Sequence, residues 1–277
     1  MRAPGKRKKQ FKVLFYSSMI ILVIIFLFPI LWTGLTSIKT RVDALSMPPV
    51  WIFGPTLKSY LQVFARGGFN TAYINSIIVG IGTTVLTVIA GSLAGYALTR
   101  FRFFGSHQMP FLILLTRMFP PLSLAFPLFF MFKEFGLLDT HIAVIISNCS
   151  LSLPFVVWLM WGYFQTLPTE LDESALIDGC NRFQVLYKVV LPMSLPGLVA
   201  VSLFTFVGSW NAFFFPLILT RIHAKTLPVQ IAGFVTSQEV LWGQVNAAAM
   251  VCLVPAVVFN LLAQKGIVKG LTMGSIK

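Results

Sequence analysis

Negative charge is scarce in this sequence: eight Asp and Glu residues stand among 277, against 21 Lys and Arg. Charged residues of both signs make up only 10% of the chain and hydrophobic residues 57%, which lies outside the range of soluble globular domains. The bilayer is therefore the main solvent such a chain would meet. Its long apolar runs hold no carboxylate and no histidine, so an intramembrane enzyme or an ion-coupled carrier would lack the groups it needs at depth. Cysteine is scarcer still, at three residues. Cys149, Cys180 and Cys252 are far apart, which excludes a disulfide framework and a zinc-binding spacing. His107, His141 and His223 are isolated in polar connections. No G-x-x-x-x-G-K-[ST] occurs, so the chain has no P-loop for ATP. The basic residues are scattered between apolar runs and form no stripe, which argues against nucleic acid.

Hydrophobic length is what the sequence has in excess. Six runs are long enough for the ~20 residues that a membrane-crossing helix needs: 13–35, 73–98, 109–132, 142–164, 197–219 and 242–263. The first follows a basic start, MRAPGKRKKQFK, and reads as a retained span because it is long and shows no small-x-small cleavage pattern. Lys and Arg number six in 1–12, two in 99–108, two in 165–196 and three in 264–277, against seven in the intervening connections. That bias predicts both termini on the cytoplasmic side. The expected fold is all-α and polytopic. It has a basic cytoplasmic segment (1–12), one six-span domain (13–265) and a cytoplasmic tail (266–277). In an outer connection, Thr56 is placed to cap a short helix carrying Leu57, Tyr60, Leu61 and Phe64.

Four of the eight acids, Glu170, Asp172, Glu173 and Asp178, fall within nine positions of the predicted cytoplasmic loop between spans four and five. Thr169 followed by Asp172 fits a capping box, and Gly179 fits a helix stop. Asn181 and Gln184 repeat that logic for a second helix ending before Pro192. The result is a cytoplasmic hairpin over 170–192. Acids at a helix start also simply answer the helix dipole. The dipole does not account for Leu171, Leu176, Ile177, Phe183, Val185 and Leu186 beside them, a mixture suited to docking a partner.

Glu173-Ser174-Ala175, then Gly179, then Val189-x-Leu191-Pro192 resembles the EAA–x3–G–x9–I–x–L–P loop of bacterial ABC-importer permeases, with Ser for the first Ala and Val for Ile. The segments NSIIVGIGTTVLTVIAGSLAGYALTRFRFFG, WNAFFFPLILT, TLPVQIAGF and KGLTMGSIK are similar to the carbohydrate-uptake permeases, the six-span maltose type above all. The resemblance implies a non-enzymatic membrane subunit in the bacterial cytoplasmic membrane. Its partners would be a second, homologous permease, a dimer of ATPase subunits that bind ATP and Mg, an extracytoplasmic solute-binding protein and lipid. No cofactor is expected on this chain. The residues implied to couple to the ATPase are Glu170, Glu173, Ser174, Ala175, Asp178, Gly179, Leu191 and Pro192. Glu173 would pair with a basic group of the ATPase. In the tail, Gly270, Thr272 and Gly274 would lie extended between ATPase subunits. The competing readings are an ABC permease for a non-sugar solute and an ion-coupled secondary transporter.

Inside the spans, Gly91-x-x-x-Gly95 with Ala90 and Ala94 allows a second helix to approach closely. Pro120-Pro121, Pro127 and Pro154 predict bends in spans three and four. Arg117 is a cation within span three. It either snorkels to headgroups or lines a passage, where it would suit an acidic or phosphorylated oligosaccharide. Asn148, Trp210 and Asn211 complete the candidate path. Asparagines at such depth also bridge helices, and Trp210 also serves as packing.

Overall fold

Long apolar runs without water to satisfy their backbone must close their hydrogen bonds internally, and this chain does so as helices. The computed structural model describes residues 4–236 and 239–273, with side chains described within 11–264. In order the helices are α1 (Pro4–Ser37), α2 (Arg41–Leu45), α3 (Lys58–Ala65), α4 (Phe69–Arg100), α5 (Met109–Leu115), α6 (Pro121–Glu134) and α7 (His141–Gln165). They continue with α8 (Glu170–Ile177), α9 (Arg182–Val185), α10 (Leu191–Met193), α11 (Leu195–Trp210), α12 (Phe214–Leu219), α13 (Leu227–Ala232) and α14 (Trp242–Met273). Among the described residues the only β-pairing outside helices is an isolated bridge between Val235 and Val240.

Four unbroken helical stretches are long and apolar enough to cross a membrane: Phe11–Ser37, Phe69–Arg100, His141–Gln165 and Trp242–Gln264. Two further pairs are sharply bent, Met109–Met118 with Pro121–Glu134 at 89° and Arg182–Met193 with Leu195–Trp210 at 81°. The spans therefore number four, or up to six if each bent pair is one. The 89° elbow has a simple cause. Pro120 and Pro121 donate no N–H, and Phe119, ahead of a proline, is extended at φ −63, ψ 128. Pro154, by contrast, sits inside α7 without breaking it. The fifth apolar run is not one helix: α11 ends at Trp210 and α12 starts at Phe214.

The chain packs as two compact units, one made of residues up to 67 with 231–252, the other of 68–230 with residues from 253 onward. In the first unit, none of the most apolar stretch of α1 is buried. The connection after it folds back so that Thr56 N–H donates to the Ile38 carbonyl and Ser37 Oγ meets Tyr60 Oη at 2.9 Å. Thr56 is not the cap of α3: that position is Leu57, which makes no side-chain cap bond, and Thr56 one residue earlier accepts from Lys58 N–H at 3.2 Å. Leu61 and Phe64 on α3, and Leu57 just before it, are exposed.

The second unit is built on α4 against α7. A Cβ at Gly91 would lie 2.5 Å from Val156 Cγ1, and one at Gly95 would lie 2.9 Å from the Trp161 backbone nitrogen. The small-residue motif of span two therefore seats α7. Polar groups buried between the helices find one another: Asn148 Nδ2 donates to Ser209 Oγ (3.0 Å), which donates to Thr83 Oγ1 (3.1 Å). This links α7, α11 and α4 by hydrogen bonds that apolar surroundings make costly to break.

One connection of this unit is pinned by a single carboxylate. Asp139 takes the left-handed conformation (φ 59) and accepts the backbone N–H groups of Arg221, Ile222, His223 and Ala224. His141 is not isolated either, since its Nε2 meets Asn75 Oδ1 at 2.7 Å, and Asn75 in turn holds the His223 and Lys225 carbonyls. Partial burial pushes the Asp139 carboxyl up, but the four backbone donors together outweigh it and hold it well below the usual carboxylate range. A depressed folded-state value means that its stabilisation is complete above the unfolded aspartate value of about 3.9 and is lost as pH falls below it. Asp139→Asn tolerates the same backbone conformation but carries no charge. The variant is expected to melt a few degrees below wild type at pH 7, with the gap closing on acidification below about pH 4. A constant gap from pH 7 to pH 3 in thermal unfolding would refute the electrostatic account.

Candidate functional site

The acidic stretch folds as two short helices at the end of α7. After Pro168, α8 runs from Glu170 to Ile177 and stops at Gly179 (φ 84). The Gly179 N–H donates to the Leu176 carbonyl and the Cys180 N–H to that of Ala175, the paired closure that a left-handed glycine permits. Asn181 and Gln184 then form the predicted capping box of α9. The second helix does not end before Pro192. A π-turn at Leu186–Val190 carries it through Pro192 to Met193, with the Leu191 N–H reaching back to the Leu186 carbonyl.

The hairpin has an inner and an outer face. Ala175, Val185, Leu186 and Val190 are buried with Tyr96, Met160 and Phe164 of α4 and α7. Val185 and Leu186, expected as part of an exposed docking knob, are core. What stays outside is Glu170, Glu173, Ser174, Asp178, Ile177 (87% exposed) and Phe183 (65%). Leu171 and Leu176 are half-buried.

Asp172 departs most from expectation. Thr169 is helical (φ −70, ψ −22) and its side chain caps nothing, so no capping box forms there. Asp172 instead turns inward to Arg100, the last residue of α4. Arg100 Nε lies 2.8 Å from Oδ2 and Nη2 lies 3.3 Å from Oδ1, with side chains 5% and 3% exposed. The Tyr96 hydroxyl, one turn back on α4, adds a bond to Oδ2 at 3.1 Å. Arg100 Nη2 also donates to the Leu167 carbonyl at 3.3 Å and Nη1 to that of Phe164 at 3.5 Å. One guanidinium thus ties helix α8 to the ends of α4 and α7. Reading the sequence alone missed Arg100 and Tyr96. The available signal was that Asp172 shares a helical face with Ala175 and Leu176, where a carboxylate needs a partner.

A second feature of the same unit lies at the proline elbow. Arg117 falls in a 3₁₀ turn, Thr116–Met118, with its guanidinium 4.7 Å from the Phe155 ring. It lines a cavity of about 240 Å³ together with Asn148, Ser152, Ser209 and Phe213. Arg117 and Asn148 are therefore brought to one cavity. Trp210 is not. It is 1% exposed and stacks on Phe206, so it is packing rather than a sugar platform. Asn211 bonds back to the Val207 carbonyl at 2.9 Å and is outside that lining.

Residues 87–265, which include the whole hairpin and both bent helix pairs, match the family described as "Binding-protein-dependent transport system inner membrane component". The chain belongs to this family. The permease is 37% identical to the trehalose/maltose transport system permease protein MalG of Thermococcus litoralis, over 96% of this chain and 97% of that one. It is 36% identical to the trehalose transport system permease protein SugB of Mycobacterium tuberculosis, over 91% and 92%. Its fold matches a chain in the crystal structure of a bacterial ABC transporter involved in the import of the acidic polysaccharide alginate. That match has a TM-score of 0.75 at 23% identity and covers 96% and 98% of the two chains. As a member of this family the permease is embedded in a membrane, and ATP hydrolysis resides on separate subunits. In the tail, α14 remains helical through Met273, so Gly270 and Thr272 are not extended here. Gly274 lies outside the described residues.

Proposed function

We infer that the chain is the permease subunit of an ABC importer that moves a carbohydrate across the bacterial cytoplasmic membrane. The sugar assignment follows the relatives named for trehalose and maltose. In this reading the bent pairs complete six spans in one domain over 13–265, and both termini are cytoplasmic. A homologous permease, two ATPase subunits carrying ATP and Mg, and an extracytoplasmic solute-binding protein complete the machine. The tail with Gly270, Thr272 and Gly274 lies against the ATPase subunits.

The observation that carries the mechanism is the two-faced hairpin. Its outer face offers carboxylates at Glu170, Glu173 and Asp178 beside exposed Ile177 and Phe183, an acidic and apolar surface suited to a basic cleft. Its inner face is fixed to α4 and α7 by Asp172, Arg100 and packed side chains. Movement of the ATPase dimer on nucleotide binding therefore displaces the hairpin and the two spans as one body. Ser174, Ala175, Gly179, Leu191 and Pro192 keep the hairpin's shape. Solute crosses past the cavity at the elbow, where Arg117 and Asn148 present a cation and an amide, an environment suited to an acidic or phosphorylated oligosaccharide.

The test is co-purification with the ATPase subunit, followed by substrate-stimulated ATP hydrolysis. Glu173→Ala should weaken both, and Glu173→Lys should cut stimulated hydrolysis by about tenfold or more, because it sets like charges face to face. Unchanged assembly and hydrolysis in both variants would leave the acids as helix-start charges and remove the coupling role.

A further inference from the structure

Lys39, in the unit of residues up to 67 with 231–252, is 3% exposed. Two rings face its ammonium, Trp32 at 4.8 Å and Phe53 at 5.1 Å from Nζ. Ring faces attract a cation but accept none of its three N–H bonds in the way an oxygen does. Among the described residues no carboxylate comes within ion-pair distance of it. Nearby, Glu239 pairs with Arg41, and Asp43 accepts the Thr40 hydroxyl at 2.6 Å, keeping its charge but forming no ion pair with Lys39. A buried ammonium without a counter-charge is costly, and this one borders open space.

That space is a cavity of about 360 Å³ where residues 39–62 meet residues 240–244. Its lining includes Lys39, Arg41 and Lys58, with Thr56, Gln62 and Gln244 as polar neighbours, and no carboxylate. Gln244 Nε2 donates to Gln62 Oε1 at 3.2 Å, which orients both amides. On one side Gly243 approaches so closely that a Cβ there would lie 2.5 Å from Ser59 Oγ. The size falls at the lower end of small-molecule sites, about 300–1,000 Å³. Arg41 is already neutralised by Glu239, which leaves two uncompensated cations on one cavity.

We propose that this cavity binds an oxyanion, a carboxylate or phosphate group, which pairs with Lys39 and Lys58. The group belongs either to an acidic solute or to the headgroup of an anionic lipid. Neither source requires the cavity at Arg117, which belongs to the other unit.

The experiment uses the assembled transporter in nanodiscs of phosphatidylcholine, titrated with trigalacturonate while tryptophan emission is read, since Trp32 lies against Lys39. A second arm replaces part of the lipid with phosphatidylglycerol. Saturable, salt-sensitive binding of trigalacturonate that Lys39→Met weakens by about tenfold or more, and Lys58→Gln severalfold, supports the site and assigns it to solute. Neutral trigalactose should not compete, and Lys133→Gln on α6 should change nothing. The same Lys39 and Lys58 dependence for phosphatidylglycerol alone supports the site and assigns it to lipid. Lys58 is exposed, so its variant remains informative if Lys39→Met does not fold. No response to either anion, or responses equal in wild type and both variants, overturns the proposal. The Glu173 variants test the importer reading separately and leave this cavity intact.

Discussion

Asp172→Ala is expected to destabilise the permease by about 3–5 kcal/mol, the cost of leaving one member of a buried ion pair alone. The Arg100 guanidinium would keep the Phe164 and Leu167 carbonyls but lose both carboxylate oxygens. Thermal unfolding of the assembled transporter measures the loss. A structural role and a transmitting role separate in a second readout. In Arg100→Lys the charge survives without the fork that grips Asp172 and two carbonyls together. That variant should assemble with its ATPase yet show a lower ratio of transport to ATP hydrolysed. The exchanged pair Arg100→Asp with Asp172→Arg should recover part of the stability that either single change removes. If Asp172→Ala melts within about 1 kcal/mol of wild type, well below that penalty, the pair is not what holds the hairpin.

The second large effect is steric and should fall on Gly95. A methyl group there meets the Trp161 backbone nitrogen at 2.9 Å and Met160 Cβ at 3.1 Å. Backbone cannot move aside as the tip of a side chain can, so α4 and α7 must separate. Gly95→Ala is expected to cost at least the ~1–3 kcal/mol typical of overpacking, and Gly95→Leu to prevent stable assembly. Gly162 in α7 supplies the contrast, because a Cβ there meets nothing within 4 Å. Gly162→Ala should be neutral or stabilising by up to about 1 kcal/mol through helix propensity. Equal melting of Gly95→Ala and Gly162→Ala would show that the close approach carries no weight.

Periodicity and punctuation made much of this architecture readable. Apolar length announced the unbroken spans, prolines announced the elbow, and Gly179 with Asn181 and Gln184 announced the hairpin. Those are local signals, each satisfied within a few residues of chain. The inward turn of Asp172 is not local: its partner lies 72 residues away, and a carboxylate after a threonine fits a cap equally well from sequence alone. The burial of Val185 and Leu186 was hidden for the same reason, since composition gives the apolar residues of a loop but not what they pack against. The elbow's 89° is an angle that Pro120 and Pro121 announce without fixing, and the break of the fifth run after Trp210 carries no proline to announce it. Gly91 and Gly95 showed that some helix comes close. That it is α7 emerges only in three dimensions.

The bare flank of α1 bears on how the protein is made. None of its most apolar stretch is covered within this chain, so its insertion into lipid need not wait for the rest of the chain to fold. Helices α4, α7 and α11, in contrast, carry hydroxyls and an amide that satisfy one another. Biogenesis thereby divides into an early, autonomous insertion and a later docking step among the polar-laced helices. Quality control has its natural checkpoint at the second.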